Sequence, residues 1–478
     1  MKMLIGERET EARGGEKLSV YSPSSMQVLD TVPAASREDV DEAITCAQKG
    51  FGQWSATPLA KRIDIMRRFQ KRLMEEQKSI SELESAEQGK TLEQSETEVR
   101  NAAKITGQYC DIVRNLGGET FPSGNWDNFV GDLTFTVREP LGVVACILPY
   151  NFPVDLFAMK VVPALLMGNA AIVKPSSETP LCDIRLTQLM RECGVPANAI
   201  QIITGSGAKI GNWLTGDDRL SAVSMTGSTE VGAQIAKNSA EYLHPVMLEL
   251  GGNDALIILE DADLEWAVEQ TMFGRMLNSG QVCSASKRFL IQNSIREAFT
   301  ERLAAAVGQL RYGDPFDRSV DLGPLVSVKA AEEVEKQIYR TMKQGAKLLC
   351  GGKRENAYIQ PTILTEVTPE MDIAGDMEVF GPVWPVIGFD TVEQAILIAN
   401  HTKYGLSSGV IGADLQKLFQ VARGMEAGAC IIGGTGNYRT FDQPFGGYKM
   451  SGLGREGGKH TLEEMSQLKT IVLRRTFQ

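Results

Sequence analysis

Hydrophobic positions along the chain change their spacing several times, and each change marks an element. The first forty residues read as short strands and turns, with a turn at residues 21–25. From Ser36 to about Gly118 apolar residues recur at three and four, the helical period, and Ser36 followed by Asp39 has the spacing of a capped helix start. Over residues 129–137 the period becomes two: Leu133, Phe135 and Val137 alternate with Thr134 and Thr136, the pattern of a half-buried strand. After Pro140 short apolar runs at 141–148, 170–173, 200–203, 222–225 and 247–250 alternate with helical stretches at 154–167, at 180–193 and from Ala208 and Thr229. Thr179 stands at the cap position before Pro180, a residue favoured in the first turn. Uninterrupted apolar runs separated by helices predict parallel strands with crossover helices, an α/β doubly wound arrangement. A second α/β stretch spans 255–428, with strands at 255–259, 289–291 and 386–389 and helices near 263–277 and 294–310. Thr470-Ile471-Val472-Leu473 predicts a last strand.

Composition narrows the function classes. The chain has 478 residues, enough for two or three domains and an ample core. Lys and Arg total 49 against 60 Asp and Glu, a net charge of −11 without a basic block, which argues against nucleic acid or an anionic membrane as partner. No apolar stretch reaches the ~18 residues of a spanning helix, and the amino terminus lacks a secretory apolar region. Eight dispersed cysteines fit a reducing, cytoplasmic setting rather than a disulfide framework. Only three histidines occur, far apart and without metal-ligand spacing, so no metal is expected.

Five segments carry candidate chemistry. Gly205-Ser206-Gly207 with Gly211, and Gly227-Ser228 with Gly232, follow apolar runs and open helices, where free amides favour phosphate. Neither has the G-x-G-x-x-G spacing, so a nucleotide site and an ordinary βα turn both remain open. Cys283 sits in the small, polar run Asn278-Ser279-Gly280-Gln281-Val282-Cys283-Ser284, suited to an accessible thiolate, although most buried cysteines are inert. Glu249 interrupts an apolar strand; it is either a general base with a pKa raised by burial or half of a structural ion pair. Asn151, held between Phe152-Pro153 and Pro149-Tyr150, is either a preorganised donor to developing negative charge or a turn asparagine.

Together these segments resemble the aldehyde dehydrogenase superfamily over nearly the whole chain. The matching motifs, in the family's order, are Pro149-Tyr150-Asn151-Phe152-Pro153, Lys174-Pro175-Ser176-Ser177-Glu178-Thr179-Pro180, Thr226-Gly227-Ser228, Glu249-Leu250-Gly251-Gly252, Gly280-Gln281-Val282-Cys283, Glu378-Val379-Phe380-Gly381-Pro382 and the run from Pro444 to Gly452. The texture is similar to the lactaldehyde and succinate-semialdehyde branch. The resemblance implies a Rossmann-like cofactor domain (residues 1–119 and 141–251), a second α/β catalytic domain (252–440) and a small β oligomerisation extension (120–140 and 456–478). It implies Cys283 as nucleophile, the Asn151 amide and the Cys283 N–H as oxyanion donors, and Glu249 as the base that activates water. For NAD or NADP it implies Pro149, Lys174, Ser177, Gly207, Gly211, Ser228, Gly251, Glu378 and Phe380.

Two departures from the family pattern bear on specificity. Members restricted to NAD commonly carry Glu three residues after the lysine; Ser177 removes that repulsion toward a 2′-phosphate, so NADP is expected to be accepted or preferred. The positions matching the arginines of the succinate-semialdehyde branch are Met159 and Leu277, which cannot pair with an anion, although Arg439 in a late loop is a possible substitute. With Tyr150, Phe152, Met159 and Phe445 as an apolar pocket, the expected substrate is a small or medium aldehyde without an essential carboxylate. A homodimer or homotetramer is expected, because open strand edges need pairing. The rivals are succinate-semialdehyde oxidation, a CoA-acylating dehydrogenase, a cysteine hydrolase or esterase without redox chemistry, and a non-catalytic relative.

Overall fold

The apolar runs become inner strands of a sheet covered on both faces. The computed structural model describes residues 1–122 and 131–475. Ile200–Ile202, Ala170–Lys174, Val143–Ile147, Ala222–Thr226 and Val246–Glu249 lie side by side in that order and parallel. Met3–Ile5 with Arg8–Thr10 closes one edge antiparallel, and Gly452–Leu453 closes the other. Val143–Ile147 comes first in the chain among the parallel strands, and the later ones build away from it in two directions. The reversal therefore falls between Val143–Ile147 and Ala222–Thr226, and open α/β sheets bind ligands beyond the carboxyl ends of strands at such a point.

A second sheet of seven strands has the order Lys347–Cys350, Thr362–Val367, Val383–Phe389, Ser286–Gln292, Asp254–Ile258, Ser408–Ile411, Ile431–Ile432, antiparallel only at the first pair. Glu249 ends the last parallel strand of the first sheet, and Asp254 begins the first strand of the second. Residues 250–253 thus bridge the two sheets, which brings carboxyl ends of the first toward amino ends of the second. The Rossmann-like architecture and the second α/β unit expected from the sequence are both present. Among the described residues, no helix is long and apolar enough to cross a membrane.

Four helices, Arg37–Ser55, Leu59–Glu75, Gln77–Gln88 and Leu92–Ile112, fill the stretch that the period of three and four marked. Ser36 and Asp39 form the reciprocal capping box. Thr179 does not act as a cap: its hydroxyl is buried and bonds nothing among the described residues. The Glu87 carboxylate takes that place, accepting the N–H groups of Leu181 (2.8 Å) and Cys182 (2.9 Å) at the start of helix Pro180–Glu192. A longer acidic side chain from a neighbouring helix satisfies two orphan amides at once, more than one hydroxyl can do.

Ser466–Leu473 pairs antiparallel along the full length of Leu133–Pro140, with Thr120–Phe121 on the far side. The alternation seen at 129–137 does not become a buried and an exposed face: all eight residues of Leu133–Pro140 are half-buried, and residues 129 and 130 lie outside the described residues. Among the described residues neither face of this three-stranded sheet is shut off from solvent as the inner strands of the two large sheets are. Leu468, Val472 and Leu473 on its partner strand are about half exposed.

Candidate active site

Two cavities meet at the bridge between the sheets, and Cys283, Asn151 and Thr226 line both. The first, about 340 Å³, is walled by Phe152, Leu156, Met159, Leu277 and Phe445, with Lys104, Glu249, Asp155, Arg439 and Glu456 as its charged lining. The second lies at the strand-order reversal, against Pro149, Tyr150, Lys174, Ser177, Gly207, Ser228, Gly251, Glu378 and Phe380. One wall thus carries a thiol that faces two separate spaces.

Local backbone explains how the thiol is presented. Helix Leu264–Met276 ends in a turn in which Asn278 (φ 49°), Ser279 (φ 53°) and Gly280 (φ 79°) are successively left-handed. For the two non-glycine residues this costs on the order of 1–3 kcal/mol each, and the surroundings hold them there. Asn278 Nδ2 donates to Asn151 O (2.8 Å), Ser279 Oγ donates to Gly323 O (2.8 Å), and Gln281 Oε1 accepts the Val326 N–H (2.9 Å). At Gly280 even a Cβ would come within 2.4 Å of Gly381 O, so the turn admits only glycine. The half-buried Cys283 follows, its thiol pushed up to about 11 by burial, with Lys287 pulling it down and Glu249 and Asp254 pushing it further up. A group so raised is a thiol at neutral pH, so its proton must leave before attack.

Glu249 settles one of the alternatives left open by its sequence position. It is 5 % exposed, its Oε2 has no hydrogen-bond partner, and it is in no ion pair among the described residues. Lys160, whose charge reaches Glu249 through space, is bound instead to Glu456 (2.9 Å). Burial raises the Glu249 carboxyl well above the usual range, the Glu456 charge adds to this, and Lys160, Arg439 and Arg455 oppose it. An uncommitted carboxyl beside a thiol is the arrangement that general-base chemistry requires.

Asn151 is held from both ends. Its side-chain N–H donates to Gln281 O (2.9 Å), the residue lines both cavities, and its backbone carbonyl accepts from Asn278 and from Lys90 Nζ (2.9 Å). Lys90 is itself buried between Glu84 (2.8 Å) and Glu98, and Glu98 also caps helix Pro153–Leu166 through the N–H groups of Val154 and Asp155. Asp155, in the first turn of that helix, turns a carboxyl toward the first cavity; burial raises it, and its Oδ1 has no hydrogen-bond partner among the described residues.

The second cavity fits a dinucleotide. The starts of helices Gly207–Thr215 and Thr229–Ala240 open on it, supplying free amides for phosphate. Buried Lys174, lowered to about 8 by desolvation, stands 3.9 Å from where a Cβ on Gly207 would lie, so the cation and the helix start face each other. A Cβ on Gly251 would meet Glu378 Oε2 at 2.4 Å, so a glycine there lets the carboxylate reach the cavity wall. Glu378 Oε1 accepts the Gly252 N–H (3.1 Å).

Two residues sit elsewhere than the sequence placed them. Tyr150 lines the second cavity, not the first, with its ring edge-on to Phe380 (6.2 Å between centroids), because the chain leaving the strand end at Ile147 carries that side chain to the second cavity. Gly211 lies a turn inside its helix and does not line the cavity, because the helix starts already at Gly207. Lys90, Lys160, Glu456, Asp155 and Lys287 went unnoticed in the sequence. A buried charge carries the same letter as a solvated one, and only Lys90, in Gln88-Gly89-Lys90 at a helix end, had a local signal to offer.

The profile of the aldehyde dehydrogenase family matches residues 10–471. A lactaldehyde dehydrogenase of Methanococcus aeolicus is 36% identical over 95% of this chain and 97% of its own length. A glutarate-semialdehyde dehydrogenase of Pseudomonas putida is 34% identical over 97% and 95%. Among solved structures, betaine aldehyde dehydrogenase from Staphylococcus aureus in complex with NAD+ superposes with a TM-score of 0.95 at 34% identity, covering 100% of this chain and 95% of that one.

Proposed function

The chain belongs to the aldehyde dehydrogenase family, and from that membership we propose that it oxidises a small or medium aldehyde to its carboxylic acid with NADP or NAD. The observation that carries this reading is Cys283 on the wall shared by the two cavities, with the unpaired Glu249 lining the first. Cys283 releases its proton to solvent and adds as the thiolate to the aldehyde carbon, and the oxyanion lies between the Asn151 amide and the Cys283 N–H, which has no acceptor among the described residues. A bound nicotinamide supplies the acceptor for the hydride that leaves the thiohemiacetal carbon. Glu249 then takes a proton from water, which attacks the thioester and frees the thiol. Lys174, the helix starts and Glu378 would hold the dinucleotide, with Phe380 and Tyr150 lining the same cavity. A panel of aldehydes with each cofactor, followed by nicotinamide absorbance and acid release, tests the proposal. Acid formed without cofactor reduction favours the hydrolase reading, and a strict need for CoA favours the acylating one.

For the substrate, the apolar walls support an uncharged aldehyde, and one observation favours a second reading. The Arg439 guanidinium stacks on Phe445 (4.0 Å) and meets Glu456 only at 3.7 Å, with no hydrogen bond among the described residues. A guanidinium without a hydrogen bond, in a cavity that Lys104 also lines, suits a carboxylate tail. If semialdehydes outrun neutral aldehydes of equal length, and Arg439→Met cancels the advantage, the second reading replaces the first.

Ser177 is exposed at the mouth of the second cavity, with no carboxylate at its position to repel a 2′-phosphate. NADP is expected to be used at least as well as NAD. Ser177→Glu is expected to turn the ratio of kcat/KM for the two cofactors toward NAD by about 100-fold, since a like charge beside a phosphate costs several kcal/mol. A wild-type enzyme that prefers NAD a hundredfold contradicts this.

The exposed Leu468, Val472 and Leu473 on the three-stranded sheet support an oligomer in which a second copy covers this strand. Sedimentation is expected to give a dimer or tetramer, and a purely monomeric species counts against it.

A further inference from the structure

Lys287 belongs to none of the motifs, yet it joins the two halves of the site. Its side chain is fully enclosed, and a buried ammonium must be matched by acceptors. Nζ donates to the carbonyls of Val282 (2.9 Å) and Cys283 (2.5 Å), with that of Ala285 at 3.5 Å. On its other side Nζ faces Glu378 Oε1 at 3.2 Å and lies 5.6 Å from the Phe380 ring centre. Asp254 is a second buried carboxylate near it; its Oδ1 accepts the Ser407 N–H and its Oδ2 has no hydrogen-bond partner among the described residues. One cation therefore holds the carbonyls of the segment that presents the nucleophile and also the carboxylate assigned to the cofactor.

We propose that Lys287 is a positioning residue that transmits occupancy of the cofactor cavity to the reactivity of Cys283. This rests on the reading of Cys283 as nucleophile and Glu378 as cofactor ligand. While Glu378 faces Lys287, its negative charge cancels part of the ammonium's field at the thiol. A ribose hydroxyl that donates to Glu378 draws that charge toward itself, and the field at Cys283 becomes more positive. Lys287 is the largest influence favouring the thiolate, with Arg439 second, while Glu249 and Asp254 oppose it. The same three carbonyl contacts keep the sulfur at the shared wall, so the electrostatic message arrives at a fixed place.

The test measures the rate of Cys283 alkylation by iodoacetamide in the full chain at neutral pH, read by mass spectrometry, with and without ADP-ribose. That probe carries the ribose hydroxyls but no nicotinamide ring to cover the sulfur, and calorimetry records its binding independently. In the wild type, bound ADP-ribose is expected to speed alkylation. Lys287→Met is expected to slow basal alkylation about tenfold, as for a rise of one pKa unit, and to remove the response, while Lys287→Arg keeps it. Glu378→Gln, which leaves the lysine its carbonyls, covers the case in which the methionine variant does not fold: its basal rate is expected to rise. A folded Lys287→Met protein that binds ADP-ribose and responds like the wild type overturns the coupling alone, as does an unchanged basal rate in Glu378→Gln. Failure of the wild type to bind ADP-ribose overturns the cofactor assignment and the coupling with it.

Discussion

Replacing Cys283 by serine is expected to abolish aldehyde oxidation, by ~10⁶-fold where the residue is the nucleophile of a concerted site, while cofactor binding stays as in the wild type. The two effects separate because the residue lines both cavities but contributes no charge to the second. Serine keeps the size and the hydrogen-bonding reach, so the Asn151–Gln281 and Lys287 contacts that shape the segment do not depend on the sulfur. Nothing lining the cavity lowers a serine hydroxyl into a range where its alkoxide forms, since even the thiol is pushed up to about 11. Cofactor titration by fluorescence quenching and steady-state rates on the same preparation check this. Activity above about 1% of wild type removes Cys283 from its assigned role.

Replacing Glu249 by glutamine is expected to separate the two half-reactions. The first turnover is retained as a burst of reduced cofactor, and steady turnover falls by ~10²–10⁴, the usual contribution of a general base. The buried carboxyl is raised by desolvation and by the Glu456 charge, so its proton-accepting form exists only above a pKa well beyond the ordinary carboxylate range. The sign follows: deacylation in the wild type rises with pH on a limb displaced upward from about 4, and that limb disappears in the glutamine variant. Rapid-mixing absorbance across pH, with the acyl-enzyme trapped and weighed, measures both features. Loss of the burst together with steady turnover shows that Glu249 acts before hydride transfer instead.

Interactions that run along the chain were legible in the sequence: the inner strands, the helical stretch 36–118, the capping box at Ser36 and the glycine-led helix starts all follow from local period and local bonds. The motifs around Asn151, Glu249, Cys283 and Glu378 were legible too, and the fold brings all four to the bridge between the sheets. What the sequence could not express is which charges lose their water. Glu249 stands unpaired because Lys160 was taken by Glu456, 296 residues away in the chain; Thr179 fails to cap because Glu87 reaches the same amides from another helix. Tyr150 changes cavities through the direction of one strand end. Periodicity records whether a side chain prefers oil or water, so it determines elements and faces. The partner of a buried ion is chosen by distance in three dimensions, and that choice, which leaves Glu249 unpaired and sets Lys287 between Glu378 and the Cys283 carbonyl, belongs to the tertiary structure alone.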